Sequence, residues 1–143
     1  MNPKGITIQS SPWSVKETID RLVVILEEHK ATIYARINQQ SEVHNAGEAH
    51  NAGKAHNAGK EMPALEFILF GNPKAGGSIM AESPIAALDL PLKIIAWEDA
   101  AKNVWLAYNQ AAYLEERYGL SPALMQPVDL DPLVNGLLAK GKK

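Results

Sequence analysis

The chain has 143 residues, 46% hydrophobic and 21% charged, which is enough to bury a single hydrophobic core. Its formal net charge is −2 at pH 7, so it lacks the positive field on which sequence-independent nucleic-acid binding depends. The absence of cysteine excludes disulfides, thiolate metal ligands and cysteine nucleophiles. The sequence contains neither a run of about 18 apolar residues, as a membrane span needs, nor the apolar stretch of a secretion signal. We therefore expect a cytoplasmic protein that binds neither nucleic acid nor membranes.

The first part of the chain predicts a strand, a helix and a second strand. Residues 6–9 alternate in the manner of a strand. Ser14 and Glu17 form a capping box, after which apolar residues recur at helical spacing as far as Leu26. Residues 32–37 are rich in β-branched and aromatic side chains, which favour a strand. We expect the second strand to pair near the first and the helix to cover the sheet.

Residues 44–61 repeat a six-residue unit, with the sequence HNAGEA, HNAGKA and HNAGKE. The period is too short for the helical-repeat families, and the unit lacks the aliphatic positions that would fill a β-helix. Alanine favours a helix, whereas asparagine and glycine disfavour it by about 0.5 to 1 kcal/mol each. We expect a mobile excursion or a poor helix.

Each repeat unit begins with a histidine, which makes the three histidines candidate metal or haem ligands. On a helix, six residues advance the chain by about 600°, so the three side chains would point to different sides. In a strand they would share a face but span about 20 Å from end to end. Only a flexible loop or two copies in a dimer would bring them together. The candidate metal ligands are His44, His50 and His56.

The second part of the chain predicts the rest of the sheet. Residues 65–70 are mostly apolar, and we expect a central strand buried on both faces. Strands at residues 92–97 and 104–108 are expected to form a hairpin across a turn at residues 99–103. The expected helical segments are one or two short helices in residues 78–88 separated near Pro84, a helix in residues 110–118 ended by Gly119, and a tail helix capped by Asp131.

This order of elements predicts an α+β fold with a single, mostly antiparallel sheet of about five strands, covered on one face by helices. We assign residues 1–125 to one α+β domain, residues 44–61 to an insertion in it, and residues 126–143 to a C-terminal helical tail. The uncovered sheet face, or the apolar stripe of the tail, would be buried most readily against a second copy of the chain. The sequence therefore predicts a homodimer.

The glycine-rich segment GNPKAGGS, residues 71–78, follows a strand and precedes an expected helix. Its backbone N–H groups could converge on an anion, with Lys74 adding charge, or the segment could be a turn needed only for geometry. Asp89 lies between leucines, where it could orient a ligand or cap the turn before the next strand. The candidate ligand-binding residues are Gly71, Asn72, Lys74, Gly76, Gly77, Ser78 and Asp89.

Several ordered stretches resemble the domain of unknown function 302 family: SVKETIDRL, FILFGNPKAG, PIAALDLPLKIIAWED, NVWLAYN and YLEERYGL. The resemblance covers residues 6–120 and implies a small α+β fold that associates as a dimer, with no established reaction. Where the family tends to have Arg-Ile-Asp-His, this chain has Arg36-Ile37-Asn38-Gln39. The HNAG units occupy a connection that is usually shorter, and Asn109-Gln110-Ala111 replaces the usual Asn-Asp-Pro.

Together these observations favour a homodimeric binding module for a small or anionic ligand near residues 71–78 and the Asp89 turn. A histidine-ligated haem or metal protein is the first alternative. An enzyme that uses Lys74 and Asp89 as a charged pair is the second. No nucleophile, acid or base arrangement with a recognisable spacing is present, so we expect a binding protein rather than an enzyme, and no cofactor is identified.

Overall fold

The computed structural model describes residues 2–50 and 62–141. Within these residues a single antiparallel sheet has the strand order β1-β5-β4-β3-β2, and α-helices lie between and after the strands. The strands are β1 (Ile6–Ser11), β2 (Thr32–Asn38), β3 (Leu65–Gly71), β4 (Leu92–Glu98) and β5 (Val104–Asn109). The helices are α1 (Val15–Glu28), α2 (Gln39–His50), α3 (Pro73–Glu82), α4 (Ala111–Tyr118) and α5 (Asp131–Ala139). The α+β class and the mostly antiparallel sheet are as predicted.

Helix α1 carries the chain from one edge of the sheet to the other. The hydroxyl oxygen of Ser14 accepts the backbone N–H of Glu17 at 3.0 Å, as the capping box predicts. The 14 residues of α1 span about 21 Å, close to the roughly 19 Å of four strand spacings. Strands β1 and β2 therefore lie at opposite edges of the sheet. The expectation that they pair near each other was wrong, because the helix is long enough to cross the whole sheet.

An ion-pair network holds α1 on the sheet. Arg36 on β2 donates through Nη1 to Asp20 of α1 at 2.6 Å and through Nε to Glu66 of β3 at 3.0 Å. Glu66 is buried, with 7% of its surface exposed. Hydrogen bonds from Lys16 and then Arg36 hold the pKa of Asp20 below its ordinary value. The network fixes the position of α1 relative to the edge of the sheet.

One core lies between the sheet and its helices. Ile19 of α1, Ile68 of β3, Ile94 of β4 and Val134 of α5 are fully buried in it. Because α5 contributes Val134 to this same cluster, the core continues across the boundary that we placed at residue 125. The apolar stripe of the tail thus packs within the chain.

A buried hydroxyl joins α5 to the sheet. Tyr108 of β5 donates its O–H to the Asp131 carboxylate at 2.6 Å and accepts from Gln9 Nε2 at 3.2 Å. Burial and the neighbouring carboxylate of Asp131 raise the pKa of Tyr108 well above its ordinary value. Asp131 is the first residue of α5 and Leu130 is its N-cap, with no side-chain cap. The expected capping role of Asp131 was wrong, because its carboxylate is engaged by Tyr108.

The sheet face opposite α1 carries a row of apolar side chains that lie opposite one another in register. The row consists of Ile8, Ala107, Ile95, Phe67 and Ile37. Lys93 lies beside it, with its ammonium nitrogen 4.6 Å from the centroid of the Phe67 ring. Phe67 and Ala107 are buried yet lie outside the α1-side core cluster. We refer to these five residues as the open-face row.

Helix α2 begins at Gln39, before the repeat, and includes its first unit. Gln40 Nε2 donates to the backbone oxygen of Met62 at 2.9 Å, and α2 contacts β3. None of its described side chains belongs to the core cluster. The rest of the repeat lies outside the described residues. Of the described helices, none is both long and apolar enough to cross a lipid bilayer.

Candidate ligand-binding cleft

A cleft of about 130 Å³ opens at the end of the sheet where β3 ends and β4 begins. Most of its walls are apolar. Strands β2 and β3 and helix α3 contribute Tyr34, Gly71, Asn72, Ala75, Gly76 and Met80. Helix α3 also contributes Pro73, strand β4 contributes Leu92, and the segments before β4 and α5 contribute Leu90, Pro91, Pro127 and Val128. We refer to it as the Asn72 cleft.

The glycine-rich segment that forms one wall is helical from Pro73 onward rather than an open loop. Asn72 is the N-cap, and its side-chain oxygen accepts the backbone N–H of Lys74 at 3.0 Å and of Ala75 at 3.3 Å. Pro73 has no N–H, and Gly76 donates to the Asn72 carbonyl at 2.8 Å. The N–H groups expected to converge on an anion are therefore already bonded within the chain.

A β-bulge presents Tyr34 at the opposite rim. Ile33 lies opposite Phe70 and Ala35 lies opposite Leu69, so Tyr34 is one extra residue on β2. A β-carbon placed on Gly71 would lie 4.0 Å from the Tyr34 ring. One edge of the ring therefore lies beside the glycine at the end of β3.

Residues 6–130 match the family model "Domain of unknown function DUF302". The chain belongs to this family. A crystal structure of an uncharacterized conserved DUF302 protein from Bacillus stearothermophilus matches 98% of this chain and 100% of that one, with a TM-score of 0.70 and 13% identity. This similarity confirms the fold that the resemblance implies.

Two curated relatives share sequence with this DUF302 chain. They are fluoride-specific ion channel FluC 1 of Brucella suis biovar 1 (strain 1330) and FluC 1 of Brucella abortus biovar 1 (strain 9-941). Each is 33% identical over 132 residues, which is 92% of this chain. The matched segment is 46% and 44% of the respective relative. The DUF302 chain thus spans less than half of the length of these relatives.

The structure separates the seven predicted ligand-binding residues into three groups. Gly71, Asn72 and Gly76 line the cleft. Lys74, Gly77 and Ser78 are exposed on α3, outside the cleft lining. Asp89 also lies outside it. The hydroxyl of Ser78 donates to the backbone oxygen of Lys74 at 3.3 Å, within the helix.

Asp89 ends a 3₁₀ turn, Pro84–Asp89, and joins it to α4. Its carboxylate accepts from Arg117 Nη1 at 2.9 Å and from the hydroxyl of Tyr118. Desolvation and this carboxylate raise the pKa of Tyr118 above its ordinary value. The Asp89 side chain thus engages α4, and it lines a separate cavity of about 10 Å³ that shares Leu90 and Val128 with the Asn72 cleft.

Tyr34 and Met80 are cleft residues that sequence reasoning missed. Tyr34 lies inside a correctly predicted strand, and nothing in the local pattern marks the bulge that singles it out. Met80 follows Gly76 by one helical turn, so its role becomes visible only once residues 73–82 are known to be helical.

The predicted metal ligands fall on or beyond α2. His44 lies on the exposed part of this helix, His50 ends it with a side chain that is not described, and His56 lies outside the described residues. Among the residues that the structure describes, no group of three or more histidine and acidic side chains is arranged to hold a metal ion. The histidine site stays a prediction.

Proposed function

We propose that this DUF302 chain is a binding module that holds one small, largely apolar molecule in the Asn72 cleft. The observation that carries the proposal is the cleft itself, with about 130 Å³ of space between mostly apolar walls. An apolar cavity of about 150 Å³ is enough to take up benzene. A molecule of the size of one ring therefore matches the available space, and burying its apolar surface would drive binding.

The same geometry favours a small apolar ligand over the anionic ligand that the sequence also suggested. Asn72 already accepts the two N–H groups at the start of α3, and the Lys74 side chain lies outside the cleft lining. A small hydrated anion would have to give up its water for apolar walls, which is unfavourable. For this chain we also propose that fluoride, the ion in the relatives' names, is not the ligand of the cleft. Titration of fluoride followed by ¹⁹F NMR is expected to detect no saturable binding.

Two neighbouring glycines of α3 provide a matched test of the cleft. A β-carbon on Gly76 would contact the methyl carbon of Met80 at 3.9 Å, whereas one on Gly77 would meet nothing within 4 Å. Both Gly76→Ala and Gly77→Ala raise helix propensity by up to about 1 kcal/mol. Only the first places a methyl group in the cleft, so only the first should weaken ligand binding.

Toluene is the probe for this test, with binding followed by NMR of the Met80 methyl group. Wild-type protein and Gly77→Ala should show the same saturable shift, and Gly76→Ala should bind several-fold more weakly. Equal binding by the two variants would place toluene elsewhere on the protein. The absence of saturable binding to wild-type protein would end the proposal.

We also propose that the chain forms a homodimer through the open-face row. Support comes from five apolar side chains aligned across the sheet on the side away from α1. Ile8, Ile37 and Ile95 of this row are only half-buried, and apolar side chains left partly exposed side by side favour association. Light scattering should give twice the chain mass of 15.6 kDa. Ile95→Lys should yield monomers. Val24→Lys, a control at a position of α1 that is 56% exposed, should leave the dimer intact.

The geometry bears differently on the two alternative functions. An enzyme that uses Lys74 and Asp89 as a pair gains no support from the geometry, because the partners of Asp89 are Arg117 and Tyr118. A haem or metal protein that uses the repeat histidines remains a proposal. A Soret band in protein purified from its own host would favour a haem protein over a binding module for an apolar molecule.

A further inference from the structure

The bulged position of Tyr34 leaves an aromatic ring without a cross-strand partner. Its neighbours Ile33 and Ala35 pair with β3, and 50% of the Tyr34 surface is exposed. A bulge bends a strand and redirects the extra side chain, and such bulges occur often beside binding sites. Here the ring lies beside Gly71, which has no side chain of its own, and borders the cleft. One wall of the cleft is therefore aromatic.

The other walls suit a flat ring as well. Met80 is 37% exposed and adapts its thioether to an aromatic edge, a favourable contact. The rings of Pro73, Pro91 and Pro127 line the remaining sides. A planar aromatic molecule can stack on Tyr34 in an offset arrangement while its edge meets the sulfur, whereas a puckered aliphatic ring of the same size can make neither contact well.

The Asn72 carboxamide supplies a polar group at the rim. Its oxygen accepts both capping N–H groups, and this identifies the other side-chain atom as the Nδ2 amide nitrogen. No hydrogen bond from this nitrogen occurs among the described residues. Because Asn72 lines the cleft, its amide is a donor available to an oxygen acceptor on a bound molecule.

We infer that the Asn72 cleft selects a single aromatic ring that carries a hydrogen-bond acceptor, with Tyr34 as the stacking surface and Asn72 Nδ2 as the donor. This inference rests on the proposed function of the cleft and adds the chemical class of the ligand. It makes Tyr34 and Asn72 the residues that determine specificity, although neither contributes to the core.

Three probes of nearly equal size separate the two contributions. Acetophenone has the ring and the acceptor, α-methylstyrene replaces the carbonyl oxygen with carbon, and cyclohexyl methyl ketone keeps the carbonyl without the aromatic ring. Calorimetry or NMR titration of the wild-type protein should give acetophenone an affinity at least fivefold above that of either analogue. Equal affinities for the three probes would overturn the inference while leaving the proposed function standing, and no binding of any of them or of toluene would remove both.

Variants then assign the preferences to residues. Tyr34→Leu should abolish the preference for acetophenone over cyclohexyl methyl ketone, and Tyr34→Phe should retain it. Asn72→Asp preserves a capping oxygen but removes the amide donor, so it should abolish the preference over α-methylstyrene while the melting temperature is maintained. A preference that survives in either of these loss variants would show that the named residue does not provide it.

Discussion

The side-chain oxygen of Asn72 accepts the backbone N–H of Lys74 at 3.0 Å, which closes the start of α3 from within the chain. A glycine-rich turn after a strand is a common place for anions because its N–H groups are free. Here the capping side chain occupies that position, and Lys74 is not part of the cleft lining. The segment therefore forms an apolar wall of the cleft rather than an anion-binding site.

Replacing Asn72 tests this role directly. Asn72→Ala should lower the free energy of unfolding by about 0.5 to 2 kcal/mol, since it leaves two helix N–H groups without their acceptor. Asn72→Asp should remain close to wild type, because a carboxylate caps the helix and favours its positive end. Lys74→Ala, at an exposed position, should change stability by less than about 0.5 kcal/mol. Urea unfolding of the three variants measures these differences, and a large loss in Lys74→Ala would contradict the assignment.

The bond between Tyr108 and Asp131 predicts how α5 is anchored. Tyr108→Phe removes the hydroxyl that donates to Asp131 and accepts from Gln9, at an expected loss of about 1 to 3 kcal/mol. Hydrogen exchange should accelerate first in α5, because the substitution removes the hydrogen bond at the start of this helix, although Gln9 Nε2 still donates to Asn135 of α5 at 3.0 Å. Tyr113→Phe, on α4, is a control for loss of a tyrosine hydroxyl and should leave exchange in α5 unchanged. Equal acceleration in all helices would point to global destabilisation instead.

The buried carboxylate of Glu66 depends on Arg36. Arg36→Met should lower the free energy of unfolding by about 1 to 3 kcal/mol. Breaking a fully buried ion pair costs roughly 3 to 5 kcal/mol, and the smaller loss is expected here because 32% of the arginine side chain is exposed. Adding Glu66→Gln should recover part of the loss, since it removes the unpaired charge. Lys16→Ala, at a surface pair with Asp20, should cost no more than about 0.5 kcal/mol. Additive effects of the Arg36 and Glu66 changes would contradict this coupling.

The turn before β5 predicts an acid-dependent loss of stability. Hydrogen bonds from Trp105 Nε1 and then the Asn103 N–H hold the pKa of Asp99 below its ordinary value of 3.8. A carboxyl group whose pKa is lower in the folded than in the unfolded state contributes to the free energy of unfolding. This contribution is fully present above the unfolded-state pKa and is lost as the pH falls through the folded-state pKa. Trp105→Phe raises the folded pKa toward the ordinary value, so this variant has less stability to lose on acidification.

Urea unfolding between about pH 5 and about pH 2.5 measures this change. The slope of unfolding free energy against pH should be shallower in Trp105→Phe than in wild type, whatever the offset at neutral pH. Trp97→Phe is the matched control, because Trp97 lies opposite Trp105 in the sheet and leaves the Asp99 bonds in place. Identical slopes in wild type and Trp105→Phe would contradict the role given to the indole N–H.

Local signals in the sequence predicted the elements whose causes lie within a few residues. The capping box at Ser14 starts α1, the break near Ser83 separates α3 from the 3₁₀ turn, and Gly119 ends α4 with φ of 61°. The hairpin of β4 and β5 also formed across its predicted turn. In each case the backbone conformation follows from hydrogen bonds or steric limits of neighbouring residues.

Helix α3 shows where local reasoning fails. Gly76 and Gly77 disfavour a helix by about 1 kcal/mol each relative to alanine, and residues 71–78 were expected to form a loop. The Asn72 cap, proline at the first turn and the burial of Ile79 oppose that preference. The balance depends on tertiary burial, which no local pattern reveals.

By itself, the sequence determined the α+β class, the order of the strands and the family, because periodicity, caps and turns are encoded over short stretches. Only the tertiary structure decided that β1 and β2 lie at opposite edges, that Asp89 pairs with Arg117, and that a bulge presents Tyr34 to the cleft. These features join residues far apart in the chain or depend on a one-residue shift in strand register. Their energies arise from packing between elements, so they exist only once the sheet and its helices have come together.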